Sequence, residues 1–275
     1  MNLKELANTA IEAAKTAGEI IQNAADKDLK VEHKDAGSNY ASNVVTEIDR
    51  KCDGIIRNIL KPTCEKYDLA ILTEEEEDDG SRFTKDYFWC VDPLDGTLAF
   101  INKEPGFSVS IALVSKSGLP IIGVAYNPTS RVLYHAIKDK GVFKNGKAWQ
   151  PKKPNNFLTL VTPKSLEKIS NAEKIKPELN KVMKDQGLAE IKEIYGKGAV
   201  WNAIRVLEEA PAIMIKPPKP QKGGGSIWDY AATTCIFNEL GLKATGFKGE
   251  LMELNKKGDA FMNHQGVFFC SVQKV

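Results

Sequence analysis

Apolar residues recur with two different periods along the chain, and the change from one to the other marks out its elements. Over residues 3–25, Leu3, Leu6, Ala10, Ile11, Ala14, Ala17, Ile20 and Ile21 fall near helical spacing, which predicts an amphipathic helix. Residues 30–43 (KVEHKDAGSNYASN) are polar and Gly/Ser/Asn-bearing, and read as a loop. A second helix is predicted over 47–60, with Ile48, Cys52, Ile55, Ile56 and Ile59 turned inward. Short β-rich runs follow at 69–73, 87–91, 107–115, 121–126 and 131–136, separated by polar or Gly/Pro turns. Asn127-Pro128 and Lys144-Asn145-Gly146-Lys147 are hairpin-like punctuation.

The pattern changes at 150–156 (QPKKPNN), the best boundary between two lobes, 1–150 and 151–275. Beyond it strands and helices alternate: a strand at LTLVT, a charged helix over 171–187, a strand at EIKEIY and a helix over 199–209. A short strand at 212–215, a helix over 228–240 and a closing strand, GVFFCSV, complete the chain. An α+β lobe followed by an α/β lobe is a mixed α and β class built in layers.

Composition narrows the function. The chain has 275 residues, 42% hydrophobic and 27% charged, the balance of an ordinary globular protein. Its net charge of +2 gives no bulk attraction to nucleic acid or to an acidic membrane surface. No run of apolar residues is long enough to span a membrane, and the N-terminal segment lacks a signal peptide's apolar core. Five scattered cysteines with no Cys-x-x-Cys pair fit free thiols in a reducing compartment, so a cytoplasmic location is expected.

One stretch breaks the apolar rhythm. In FWCVDPLDGTLAFI (88–101) a buried-looking strand runs into Asp92, Pro93, Leu94, Asp95, Gly96 and Thr97. Pro-x-Asp-Gly is good turn chemistry on its own. Three further acidic groups also stand at strand ends or helix starts, however: Asp49, the run from Glu74 to Asp79, and Asp229. Carboxylates from separate elements can converge on one pocket there. They form the ligand set that hard divalent cations require, and without a cation they would repel one another. Such a centre suits chemistry on an oxyanion. Gly96, Thr97 and the backbone N–H groups after them would cradle a phosphate if a helix begins there.

The sequence resembles the inositol monophosphatase family of lithium-sensitive, magnesium-dependent phosphatases, which also includes bisphosphate nucleotidases and fructose bisphosphatases. The resemblance rests on Asp-Pro-Leu-Asp-Gly-Thr at 92–97, Trp228-Asp229-Tyr230-Ala231-Ala232, Glu74 after an apolar strand, and Val45-Thr46-Glu47-Ile48-Asp49, in family order over roughly residues 43–241. It implies a layered α-β-α-β-α sandwich with the active site between the lobes. Glu74, Asp92 and the Leu94 carbonyl would bind a first Mg2+, and Asp92, Asp95 and Asp229 a second. A third ion would use Glu74 near the loop at 33–43. Asp49 and Thr97, with Glu74, would position and deprotonate the attacking water, and Gly96 and Thr97 would hold the phosphate. The implied reaction is in-line attack of activated water on phosphorus without a phosphoenzyme. Family members are often homodimers.

The substrate side departs from the family pattern. Where an acidic Gly-x-Ala-Asp segment is usual, the chain has Glu208–Lys216 without that aspartate, and a Lys/Pro/Gly loop at 216–226 precedes Trp228. Lys216, Lys219 and Lys222 read first as solvated loop lysines and second as contacts for another anionic group; with the hairpin region Gly118–Gly146, the basic loop puts a 3′(2′),5′-bisphosphate nucleotide slightly ahead of inositol monophosphate or a sugar phosphate. A haloacid-dehalogenase-like reading of Leu94–Thr97 fails because Pro93 stands where a nucleophilic aspartate is needed. His33, His135 and His264 lack metal-ligand spacing, and no Gly-x-Ser-x-Gly elbow is present. A catalytically inactive family member that binds phosphate esters is the reading from a different class.

Overall fold

The computed structural model describes residues 1–25, 31–33, 44–151, 155–162, 172–196 and 198–272. Helix α1 (Leu3–Ala24) opens with the Asn2 side chain accepting a hydrogen bond from the Glu5 N–H at 3.2 Å, an N-cap worth about 1 kcal/mol. Strands β1 (Val31–His33) and β2 (Val44–Thr46) pair antiparallel, so three residues of the expected loop are strand instead. The remainder of that loop lies outside the described residues. Helix α2 (Glu47–Tyr67) continues past the expected end at residue 60 and through Pro62. Leu60 and Thr63 keep the buried stripe going over that turn, and the Thr63 hydroxyl donates to the Leu60 carbonyl at 2.6 Å.

A seven-stranded sheet follows in strict neighbour order: β3 (Ala70–Thr73), β4 (Tyr87–Asp95), β5 (Ser108–Ser115), β6 (Pro120–Asn127), β7 (Val132–Ile137), β8 (Gly141–Lys144) and β9 (Lys147–Ala148). Only β3 and β4 run parallel. The short helix α3 (Thr97–Ile101) lies between β4 and β5.

The second sheet is five-stranded, in the order β11-β10-β12-β14-β13: β10 (Leu158–Thr162), β11 (Ile191–Tyr195), β12 (Ala212–Lys216), β13 (Lys243–Thr245) and β14 (Val267–Cys270). Strand β10 is parallel to both of its neighbours, whereas β14 is antiparallel to β12 and β13. Helices α4 (Ala172–Gln186), α5 (Ala199–Glu208) and α6 (Ile227–Glu239) belong to this half of the chain.

The inner strands of both sheets are buried on both faces, which explains why they read as continuous apolar runs. On β4, Trp89 and Val91 face the core shared with α1 and α2, while Phe88 and Cys90 face α5 and α6. On β12, Ala212 and Met214 face α5 and α6, while Ile213 and Ile215 meet Ile175, Leu179 and Val182 of α4. The layers are therefore α1/α2, the large sheet, α5/α6, the small sheet and α4, an α-β-α-β-α sandwich. All five cysteines are free thiols. Among the described residues no helix is long and apolar enough to cross a membrane.

Candidate metal and phosphate site

The site begins with a violation of strand geometry. Side chains three apart on a regular strand point to opposite faces. Asp92 pairs with Ser110 and Asp95 with Ser108, so three steps along β4 match two along β5. That extra residue is a β-bulge, and it turns Asp92 and Asp95 to the same side. Pro93 is accommodated there because a bulged position has no ladder hydrogen bond to donate. The Leu94 N–H instead donates to Asp92 Oδ1 at 3.0 Å. Gly96 then takes φ +85°, a conformation natural to glycine, and starts α3 at Thr97.

Asp229 arrives from the other half of the chain. It is the third residue of α6, where its carboxylate accepts from the Ser226 N–H in a capping box. The Ser110 hydroxyl donates to the Trp228 carbonyl at 2.9 Å and fastens this helix start to β5. As a result, Asp92, Asp95 and Asp229 each bring a carboxylate oxygen within 4.8 Å of the others.

Asp95 is held on three sides. Its Oδ1 accepts from the Ala199 N–H at 2.8 Å, and its Oδ2 from the Val200 N–H at 2.9 Å and the Ser108 hydroxyl at 3.2 Å. The carboxylate thus sits on the positive end of α5. Gly198 permits that approach, since a Cβ there would lie 2.2 Å from Asp95 Oδ2.

The other expected site residues fall into two groups. Asp49, on the first turn of α2, is buried, and Glu74, just past β3, is half-buried with its N–H donating to the Val91 carbonyl at 3.1 Å. Neither belongs to the three-carboxylate group, but both are close enough for their charges to act on Asp92. Thr97 donates its hydroxyl to the Leu94 carbonyl at 3.0 Å, so the carbonyl expected to bind metal also carries a hydrogen bond. Most of the loop expected near a third ion, residues 34–43, lies outside the described residues.

Electrostatics give the site its character. Burial pushes Asp92 well above the usual carboxylate range, helped by the charges of Glu74, Asp229, Asp95 and Asp49. Burial and the Asp229 charge push Asp95 up to about 7, against the pull of the α5 N–H groups and of Lys216. Burial raises Asp229 as well, despite the Ser226 N–H and the Lys216 charge. Three mutually repelling carboxylates, two buried and one half-buried, fit a hard divalent cation, which removes both the repulsion and the cost of burial.

Of the three loop lysines, Lys216 contributes a charge felt by Asp95 and Asp229. Its ammonium donates to the Tyr230 hydroxyl at 2.9 Å and to the Gly224 carbonyl at 3.3 Å. Lys222 instead pairs with Asp259 at 3.4 Å. Of the histidines, His135 stacks on Phe143 and His264 pairs with Glu253, and neither joins the carboxylate group. Sequence reasoning missed Ser108, Ser110 and Gly198. The only signal for the last was the Gly196-Lys197-Gly198 spacing before a helix.

Comparison with known proteins identifies the family. The model of the inositol monophosphatase family matches residues 2–272. Inositol monophosphatase 2 of Solanum lycopersicum is 37% identical over 147 residues, 53% of this chain and 53% of that protein. Nus factor SuhB of Escherichia coli K12 is 34% identical over 140 residues, 50% of this chain and 49% of that protein. The chain thus aligns with about half the length of these curated relatives.

Among solved structures, the extragenic suppressor protein suhB of Bartonella henselae superposes with a TM-score of 0.71 at 25% identity, covering 97% of this chain and 93% of that one. CysQ of Bacteroides thetaiotaomicron shares the fold with a TM-score of 0.73 at 23% identity, covering 97% of each chain. With its ordered motifs, its layered fold and a family match over nearly its whole length, the chain belongs to the inositol monophosphatase family, whose members are phosphoric monoester hydrolases.

Proposed function

We propose that the protein is a metal-dependent phosphomonoesterase acting on a small anionic phosphate ester. The observation that carries this reading is the convergence of Asp92, Asp95 and Asp229 within 4.8 Å. Asp92, Asp95 and Asp229, with Glu74 and the Leu94 carbonyl, would hold two or three divalent cations, and the all-oxygen donor set suits Mg2+. When bound, such ions neutralise phosphate charge and acidify water.

The chain's own residues supply the rest. Asp49 and Glu74, on the Asp92 side of the group, accept the proton of the attacking water. Thr97 and Gly96 stand where the bulge gives way to α3, and their backbone N–H groups would hold the phosphate. The α5 N–H groups and Ser108 keep Asp95 from rotating out of the group.

For the substrate we favour a compound with a second anionic group, of the bisphosphate nucleotide kind. The charge of Lys216, which acts on Asp95 and Asp229, and the absence of the family's aspartate between Glu208 and Lys216 support it. Inositol monophosphate is the second reading, supported by the names of the curated relatives. Phosphate release with Mg2+ and with EDTA across both compounds and fructose 1,6-bisphosphate tests the function. Mg2+-dependent turnover of one compound supports the reading. Metal-independent turnover, or none in a folded and metal-loaded protein, overturns it.

A further inference from the structure

The acidic run that follows β3 is held at every second residue. Glu74 is fixed through its N–H, which donates to the Val91 carbonyl of β4 at 3.1 Å. Glu76 pairs with the Arg57 guanidinium of α2. Asp78 accepts from the buried Arg82 at 2.8 Å. Arg57 also pairs with Asp53 on its own helix at 3.5 Å. Its two acids differ in kind, since the Asp53 side chain is 3% exposed and the Glu76 side chain 54%. Asp53 Oδ1 has no hydrogen-bond partner among the described residues, so Arg57 at Oδ2 is what compensates this buried carboxylate. The guanidinium is therefore anchored on the helix and reaches out to the loop.

Spacing gives this arrangement its meaning. Asp49, Asp53 and Arg57 follow one another at intervals of four residues along one face of α2. Glu76 stands two residues past Glu74. Arg57 thus ties the helix that carries Asp49 to the loop that carries Glu74. An exposed ion pair adds little to stability, so the effect of the loop tie is expected in placement and not in the melting of the fold. We propose that Arg57 is a positioning residue that fixes Asp49 and Glu74 relative to one another by bridging Asp53 on α2 to Glu76 on the loop. The inference rests on the reading of Asp49 and Glu74 as the acids that accept the proton of the attacking water, and Arg57 acts through them.

The test uses two variants of the whole chain. Glu76→Ala cuts the tie to the loop and keeps the buried Asp53–Arg57 pair, so the fold stands. Glu77→Ala removes the same charge from the exposed neighbour, which makes no ion pair with α2 among the described residues. Steady-state kinetics with Mg2+ on the best substrate of the panel, and amide hydrogen exchange at Glu74 in EDTA, are measured on both and on wild type. The expected result in Glu76→Ala is a kcat lower by about tenfold or more, as loss of a supporting partner typically costs, with KM within about twofold. The Glu74 amide should lose exchange protection in the same variant. Glu77→Ala should match wild type in both measurements.

A wild-type kcat in Glu76→Ala, a change confined to KM, or an equal fall in Glu77→Ala overturns the inference and leaves the phosphatase reading standing. A folded wild type that turns over no phosphate ester overturns that reading instead. Exchange then decides the tie by itself: lost protection at Glu74 in Glu76→Ala supports it, and an unchanged amide overturns it.

Discussion

Gly198 and Asp95 occupy one another's space: a Cβ on residue 198 would lie 2.2 Å from Asp95 Oδ2, 2.7 Å from its Cγ and 2.9 Å from Oδ1. The carboxylate reaches the α5 N–H groups only because that volume is free. Gly198→Ala should therefore cost about 1–3 kcal/mol of stability, as overpacking does, and should also weaken metal binding by displacing Asp95. Urea unfolding in EDTA and metal titration measure the two effects separately. A variant with wild-type metal affinity would show that Asp95 does not need its seat on α5.

Charge neutralisation at Asp92 should separate activity from stability. Asp92→Asn removes a ligand and should lower turnover by at least about 100-fold. The same change removes a buried charge that is repelled by four neighbouring carboxylates, so the metal-free variant should melt higher than metal-free wild type at pH 8. Turnover and thermal melting in EDTA, run on one preparation, check both halves.

Metal-free protein should lose stability as pH rises. Asp95 is near 7 when folded against an ordinary 3.8, so between those values the folded state holds a proton that the unfolded state has released. The contribution is fully present below about pH 4 and fades as pH climbs through 7, with a slope of about 1.4 kcal/mol per pH unit for one such proton. Urea midpoints at pH 5 and pH 8 in EDTA should show the decline, and saturating Mg2+ should flatten it. A midpoint independent of pH in EDTA would contradict the raised carboxylates.

Proton removal from water should separate from binding. Asp49→Asn should lower kcat by about 10²–10⁴ with KM little changed, as loss of a general base does. Steady-state kinetics on the best substrate of the panel decides the matter. A rise in KM alone would make Asp49 a contact residue.

Arg82 should matter to stability far more than its distance from the carboxylates suggests. It is 1% exposed, and its guanidinium donates to Asp78 at 2.8 Å, Asn255 at 2.6 Å and the Lys256 carbonyl at 3.2 Å. These bonds join the acidic run after Glu74 to the C-terminal half of the chain. Arg82→Met should cost about 3–5 kcal/mol, the penalty for breaking a buried, bonded charge. Chemical denaturation measures it.

Much of this was legible in the residues. The amphipathic stripes of α1 and α2 and the continuous apolar runs of the inner strands predicted element types well. The acidic residues at strand ends pointed to one centre. Element ends were less legible. Helix α2 runs on to Tyr67 through Pro62 because Leu60 and Thr63 are held by packing, a tertiary effect with no local signal. Strands β8, β9 and β13 are only 4, 2 and 3 residues long, too short to show a period. In the site, Asp92, Asp95 and Asp229 announced themselves by type and place. Ser108, Ser110 and Gly198 did not, because their roles exist only after residues far apart in sequence have met.

The stretch from Asp92 to Asp95 also carries information in its length. Because three steps on β4 are matched to two on β5, deleting one residue between the two aspartates would restore regular pairing and keep all the acidic side chains. It would leave them two apart on a regular strand, with Gly96 and α3 drawn back by a residue. Insertion of one residue would send Asp95 to the face packed against α1 and α2. The spacer is thus a ruler as well as a linker, and a chain that kept every acid but gained a residue here would still fold its sheets and lose its centre.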